Sequence, residues 1–165
     1  MGNRTLVYKQ KVQNNLKESF IHLKRLETAS DELAKKYHIP LDGYSYNLII
    51  NDIQDLTFSD QIIYRFAKLQ DSIGAKLFKS LLLYQGENVD KPFLNILNQL
   101  EKMDIVDVDE WFEIRNLRNE ISHDYDNSND VAINILNMIF ELKNELKKIL
   151  NSIDKIVVDT GIEDE

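Results

Sequence analysis

Apolar residues recur at alternating steps of four and three near the C-terminal end of the chain, at Ile135, Ile139, Leu142, Leu146, Ile149, Ile153 and Ile156. This spacing places all of them on one face of an α-helix and leaves the polar residues on the other face. A similar seven-residue rhythm near the N-terminus joins Val12, Leu16, Leu23, Leu26, Leu33 and Tyr37. Long apolar stripes of this kind must be covered by other helices, so the chain is constrained to a helical bundle.

Composition and length narrow the prediction further. The chain has 165 residues, which suits one domain, and its five Gly and two Pro are too few for the many turns of an all-β fold. We therefore predict an all-α protein, an antiparallel up-and-down bundle of five to six helices. The bundle is expected to occupy residues 1–158 as a single domain, with a short acidic tail at 159–165.

Caps and breaks predict where the helices lie. Helices are expected over about residues 5–37, 44–56 and 58–84, with Thr57 as the N-cap of the third. Gly74 falls inside that third helix, where glycine costs about 1 kcal/mol relative to alanine, so we expect a neighbouring helix to approach closely there. A shorter helix follows Pro92, Asp107 is expected to cap the next one, and a polar turn at residues 126–129 precedes the last.

Charge and missing motifs exclude several classes of protein. The formal net charge of −8 argues against a surface that coats nucleic acid generally, although a small cationic site remains compatible with it. Without cysteine the chain has no disulfides or thiolate metal sites, which fits a reducing cytoplasm. No apolar run is long enough to span a membrane. No phosphate loop or metal-ligand spacing is present, so no metal or cofactor is expected, and His22 and His38 are interpreted as surface or packing residues.

One segment combines arginines, asparagines, a histidine and a tyrosine inside a helix-forming run, namely WFEIRNLRNEISHDY from Trp111 to Tyr125. On a helix, Ile114, Leu117 and Ile121 share an apolar face. Arg118 and His123 are separated by about 140° on a straight helix. These two side chains meet at one small group only if the helix bends near Ser122 or a second copy of the chain completes the site.

The residue types in this segment suit chemistry at a phosphodiester. His123 can give or take a proton near neutral pH, and Arg118 offers a fork of donors to phosphate oxygens. Asn119 can orient either group, while Arg115 and Ser122 on the neighbouring strip are possible substrate contacts. The alternative is a helix end at which His123 satisfies the last-turn carbonyls and Arg118 pairs with Glu113 or Asp124. Taken alone, the residues favour this alternative.

The same segment resembles a known family. Arg118, Asn119, His123 and Tyr125, with the upstream runs DQIIYRF at 60–66, KLQD at 68–71 and GAKLF at 74–78, resemble the HEPN superfamily. Within that superfamily the chain is most similar to HepT-type toxins, which are encoded beside a minimal nucleotidyltransferase antitoxin. The resemblance covers about residues 10–150 and includes proteins described only as substrate-binding partners of nucleotidyltransferases.

The resemblance implies a homodimer with the Arg and His motifs of both chains at its interface. It implies metal-independent RNA cleavage as the toxin of a type VII-like toxin–antitoxin system, with Arg118, Asn119 and His123 as catalytic residues. It also implies that the antitoxin transfers AMP from ATP onto Tyr125, which would block the site and add negative charge there. A non-catalytic partner of a nucleotidyltransferase and a purely structural helical adaptor remain as alternatives.

Overall fold

The structure is a computed structural model that describes residues 2–125 and 128–161, apart from the side chains of Asp124 and residues 159–161. Over this part of the chain it is all-helical and contains no β-strand. The helices are α1 (Gly2–Lys36), α2 (Gly43–Ile50), α3 (Ile53–Asp71), α4 (Phe78–Tyr84), α5 (Phe93–Lys102), α6 (Val108–Asp124) and α7 (Asn129–Gly161). A π-helical segment, Ser72–Leu77, joins α3 to α4 without a break, so residues 2–125 and 128–161 form six helices. We call the continuous helix from residue 53 to residue 84 the α3–α4 rod.

Helix α1 runs antiparallel to the α3–α4 rod. Near the C-terminal end of α1, Lys36 Nζ donates to Asp55 Oδ2 at the start of the rod, at 2.7 Å. Near the other end, Asn15 Nδ2 donates to Ser80 Oγ at 3.0 Å. The two polar contacts fix the register of the pair over most of its length.

Helix α6 also runs antiparallel to the rod, along a different face. The Trp111 ring packs against the Phe78 ring with centroids 4.8 Å apart. At the other end of the pair, the Tyr125 hydroxyl donates to Asp60 Oδ1 at 3.3 Å. These contacts place the C-terminal end of α6 beside the beginning of the rod.

Helix α7 returns beside α1 and completes the bundle. The Asn137 side chain holds the loop after α1 with two hydrogen bonds. It accepts one from the Leu41 amide at 2.7 Å and donates one to the Leu41 carbonyl at 3.0 Å. Further along, Lys147 Nζ donates to Glu27 Oε2 at 3.1 Å, so α7 runs opposite to α1. The four long helices, α1, the rod, α6 and α7, thus alternate in direction.

The predicted apolar faces form one core. On α7 the predicted residues are buried except Ile156, which is half-buried. Trp111, Phe66 and Phe78 are the largest fully buried side chains. Burial of a Leu, Ile or Phe side chain contributes about 1.5–3 kcal/mol, so these faces supply the main driving force for the bundle.

The prediction of one helix over residues 44–56 is wrong. Helix α2 ends at Ile50, and Asp52 caps α3 by accepting from the Asp55 amide at 3.0 Å. A carboxylate that satisfies first-turn amides starts a helix more effectively than it continues one. Ile53 therefore lies in the first turn of α3, where it is 80% exposed. Thr57 lies inside α3, where its hydroxyl donates to the Ile53 carbonyl.

The C-terminal part of the chain follows the predicted boundaries approximately. Helix α7 begins at Asn129 and its backbone continues to Gly161, while residues 162–165 of the predicted acidic tail lie outside the described residues. Asp126 and Asn127 of the predicted polar turn also lie outside them. None of the helices in residues 2–125 and 128–161 combines the length and apolar character needed to cross a membrane.

Candidate functional site

Helix α6 carries the candidate residues and starts where the sequence predicts. The Asp107 carboxylate accepts from the Glu110 amide at 3.0 Å and caps the helix. Ile114 and Leu117 are buried and Ile121 is half-buried, so the apolar face points into the bundle. The helix continues to Asp124 without interruption, which means that it does not end near Ser122.

Arg118 is paired across the helix interface with Asp71. Its Nε donates to Asp71 Oδ1 and its Nη2 donates to Asp71 Oδ2, both at 3.0 Å. Its Nη1 donates to the Ser122 hydroxyl in a short hydrogen bond. The bond to Asp71 raises the pKa of Arg118. The ion-pair partner of Arg118 is thus Asp71 of the rod. It is not Glu113, which was one of the two partners on α6 that the sequence suggested.

The Arg118–Asp71 pair lies at the edge of a cleft with a volume of about 400 Å³, which we call the Arg118 cleft. The cleft is open to solvent, and the side chains of Asp71 and Arg118 are 44% and 25% exposed. Three cationic side chains and one carboxylate line it, together with polar and small residues. The lining residues are Gln70, Asp71, Gly74, Ala75, Lys79, Phe93, Arg115, Arg118, Asn119 and Ser122. The structure therefore brings four of the predicted site residues, Arg115, Arg118, Asn119 and Ser122, to one place.

His123 is not among the residues that line the Arg118 cleft. It is exposed on the last turn of α6. Because the helix is uninterrupted through Asp124, the separation of about 140° from Arg118 applies. Within one copy of the chain, the two predicted catalytic side chains point in different directions.

Tyr125 follows α6 and is half-buried. Its hydroxyl donates to Asp60 Oδ1. Burial, and then the proximity of Tyr46 and Asp60, raises the pKa of Tyr125 well above its ordinary value. The hydroxyl therefore stays protonated at neutral pH.

Tyr125 lines a second depression, of about 360 Å³, which we call the Tyr125 groove. Its lining is mainly apolar and includes Asp60, Ile63, Tyr64, Ala67, Lys68, Arg118, Ile121 and Tyr125. Tyr64 is 50% exposed there. Arg118 belongs to both depressions, so its guanidinium lies between the cationic cleft and the apolar groove.

A glycine in the π-helical segment, Gly74, lets α6 approach the rod closely. A Cβ atom on Gly74 would lie 2.8 Å from Trp111 Cζ2 and 3.1 Å from Gln70 Nε2. The predicted close approach at Gly74 is confirmed. The sequence also held a signal for the segment itself, because apolar residues along the rod take three successive steps of four at Leu69, Ile73, Leu77 and Leu81. Regular α-helical spacing alternates fours with threes, and a π turn accommodates the extra residue.

His22 packs between α1 and α3 and has polar partners there, which the sequence did not indicate. Its Nδ1 accepts from Arg65 Nη1 at 2.9 Å, and Glu18 Oε1 lies 3.9 Å from its Nε2. Burial, and then the positive charge of Arg65, lowers the pKa of His22. The pairing gives Arg65, whose role the sequence left open, a structural function between α1 and α3.

A further cavity, of about 630 Å³, lies between α6 and α7 and is lined mainly by acidic and apolar residues. Burial and a hydrogen bond with Glu145 raise the pKa of Glu110 there. In the part of the chain that the structure describes, no group of three or more His, Cys, Asp and Glu side chains is placed to hold a metal ion.

Comparison of the chain with known proteins finds no match among family models, curated proteins or solved structures. The fold and the site therefore describe an all-α bundle with a cationic cleft beside an apolar groove. The resemblance to HEPN proteins stays a prediction that rests on the residues quoted for it.

Proposed function

We propose that two copies of this chain form a ribonuclease in which Arg118 of one copy acts with His123 of the other. The observation that carries the proposal is the Arg118 cleft. There an arginine with unused donors is grouped with Arg115, Lys79 and the Asn119 amide on an otherwise acidic protein. Such a grouping suits the phosphate of a nucleic acid backbone.

Arg118 can bind a phosphate without leaving Asp71. A guanidinium has five N–H donors. Two of them bind Asp71 and one binds Ser122, which leaves one N–H on each terminal nitrogen. Those donors and the nearby side chains of Arg115 and Lys79 offset the charge of the Asp71 carboxylate.

The separation of Arg118 from His123 supports a site shared by two copies. Because α6 is uninterrupted, one copy cannot direct both side chains at one phosphate. A twofold axis beside α6 would bring the partner's equivalent groups to the same place.

The proposed reaction is transesterification. The 2′ oxygen of the RNA bonds to phosphorus while the bond from phosphorus to the 5′ oxygen breaks, which gives a 2′,3′-cyclic phosphate and a 5′-hydroxyl. His123 accepts the proton from the 2′-hydroxyl, and the departing 5′ oxygen takes up a proton from water. Arg118 stabilises the negative charge that builds on the phosphate oxygens.

A cognate nucleotidyltransferase is proposed to silence this activity at Tyr125. The Tyr125 oxygen bonds to the α-phosphorus of ATP, and pyrophosphate leaves. Asp60, which already accepts the hydroxyl hydrogen, is placed to take the proton. The attached AMP puts a negative charge in the groove that Arg118 shares, where it competes with RNA for the guanidinium.

A second candidate is a non-catalytic partner of a nucleotidyltransferase. One observation favours it, because Arg118 donates two hydrogen bonds to Asp71 of the same chain. An arginine held in this way can serve purely to hold α6 against the rod. This candidate predicts partner binding without RNA cleavage.

Complementation between two inactive variants tests the shared site. Arg118→Ala and His123→Ala should each abolish cleavage of RNA in the presence of EDTA, while Arg4→Ala, on the exposed first turn of α1, should not. Co-expression of the two inactive variants should restore about a quarter of the activity, because half of the dimers are mixed and each has one intact site. No cleavage by the unmodified protein, or equal cleavage by the variants, would contradict the proposal.

A further inference from the structure

We infer that the Arg118 cleft binds a single nucleotide of the RNA, with its phosphate at the cationic side chains and its base on the ring of Phe93. This inference rests on the proposed ribonuclease function and deepens it by assigning the substrate subsite.

The aromatic part of the subsite is already occupied by a planar cation. The guanidinium carbon of Arg115 lies 5.7 Å from the centroid of the Phe93 ring. Phe93 is half-buried and Arg115 is exposed. The ring therefore faces the cleft, and a planar base can take the position of the guanidinium with stacking of similar strength.

The cationic part of the subsite lies beside the ring. Displaced from Phe93, Arg115 remains in the cleft and can pair with the phosphate attached to the stacked base. Lys79 and the unused donors of Arg118 line the same cleft. Asp71 repels a phosphate, which favours a position towards Arg115 and Lys79 rather than directly over the Arg118–Asp71 pair.

The floor and size of the cleft also fit one nucleotide. Gly74 and Ala75 of the π-helical segment present no bulky side chain to a ligand. The Asn119 amide offers both a donor and an acceptor to a base edge. A volume of about 400 Å³ is at the lower end of the range for small-molecule sites. It accommodates a monomeric unit of a single strand rather than a duplex.

The larger cavity between α6 and α7 does not compete for this role. Its lining includes Glu101, Asp104, Asp107, Glu110 and Glu145 against a single cation, Lys148. A phosphate would meet repulsion from these carboxylates. Of these two cavities, only the Arg118 cleft has more cationic than acidic side chains in its lining.

Calorimetric titration of a His123→Ala protein, which does not consume RNA, tests the subsite with three probes: adenosine 3′-monophosphate, adenosine and inorganic phosphate. The nucleotide should bind more tightly than either fragment. Phe93→Ala should weaken nucleotide binding about 5-fold to 150-fold, the range for loss of one stacked base, and leave phosphate binding unchanged. Lys79→Gln should weaken nucleotide and phosphate binding and leave adenosine binding unchanged.

Two further variants serve as controls. Phe93→Tyr keeps the ring and should keep nucleotide binding, and Phe112→Ala removes a partly exposed ring of α6 outside the cleft and should have no effect. The inference is overturned if the nucleotide does not bind to the His123→Ala protein. It is also overturned if the Phe93→Ala and Lys79→Gln substitutions leave nucleotide binding unchanged. RNA cleavage by the wild-type protein without nucleotide binding would overturn this inference alone. Nucleotide binding without cleavage would overturn only the ribonuclease proposal.

Discussion

The α3–α4 rod carries polar contacts on two sides, and the two sets differ in their access to water. Towards α1, the hydroxyls of Ser19 and Ser72 lie 2.7 Å apart and both residues are buried. We call this side, with the nearby His22–Arg65 pair, the sealed side. Towards α6, Asp71 pairs with Arg118 at the rim of a cleft, and we call this the open side.

The comparison distinguishes contacts that hold the bundle from contacts that remain available to a ligand. A buried hydrogen bond contributes about 1 kcal/mol, but leaving one of its partners unpaired costs about 1–3 kcal/mol. On the open side water can replace a lost partner, so the penalty is smaller. We therefore expect substitutions on the sealed side to change stability and substitutions on the open side to change binding.

The largest expected effect is at Gly74, which sets the distance between the rod and α6. A Gly74→Val side chain would collide with the buried Trp111 ring and should destabilise the protein by about 3 kcal/mol, as overpacking does. Urea denaturation measures this change. Gly43→Val is the matched control, because nothing lies within 4 Å of a Cβ at that position. Equal stability of the two variants would contradict the close contact.

A smaller effect is expected from the buried serine pair. Ser19→Ala should destabilise the protein by about 1–2 kcal/mol, because the Ser72 hydroxyl is left without its partner in the core. The double variant Ser19→Ala, Ser72→Ala should cost less than the sum of the two single variants. Ser122→Ala, on the open side, should stay within about 0.5 kcal/mol of wild type. Additive losses in the double-mutant cycle would show that the two hydroxyls do not interact.

The smallest expected effect is a dependence of the free energy of unfolding on pH, which arises from the titration of His22. Its pKa in the folded protein lies below 6.5, so the unfolded chain binds more protons in the interval between the two values. Stability should therefore be full above about pH 6.5 and decline as the pH falls through that interval. Arg65, Lys68 and Arg25 disfavour the protonated form, and Glu18 favours it.

The urea midpoint measured between pH 7.5 and pH 5 tests this dependence. The decline should be reduced in His22→Gln and retained in Ser122→Ala, which changes the open side instead. An identical decline in wild type and His22→Gln would mean that another group is responsible.

Local patterns predicted much of the fold. The apolar stripe of α7, the Asp107 cap and the close approach at Gly74 all follow from spacing and residue type within one helix. The helix break at Asp52 was missed because both Asp52 and Thr57 are reasonable caps, and the sequence gives no means of choosing between them. The π-helical segment was missed because its three steps of four resemble ordinary helical spacing.

The candidate site was predictable only in part. Arg115, Arg118, Asn119 and Ser122 were found because they lie on one strip of α6. Their partners on other helices were not, since Asp71 is 47 positions from Arg118 and no local pattern links them. For the same reason the polar partners of His22 were not found, because Arg65 reaches it from another helix.

The π-helical segment sets the rotation of one half of the rod about the helix axis relative to the other half. Helix α1 packs along both halves, whereas the C-terminal end of α6 contacts the α3 half and Trp111 and α5 contact the α4 half. Deleting Ile73, which lies between Asp71 and Gly74 and does not line the cleft, would turn one half relative to the other by about 100°. A length change of a single codon there would thus separate the floor of the cleft from Asp71, even though every residue that touches a ligand would still be encoded.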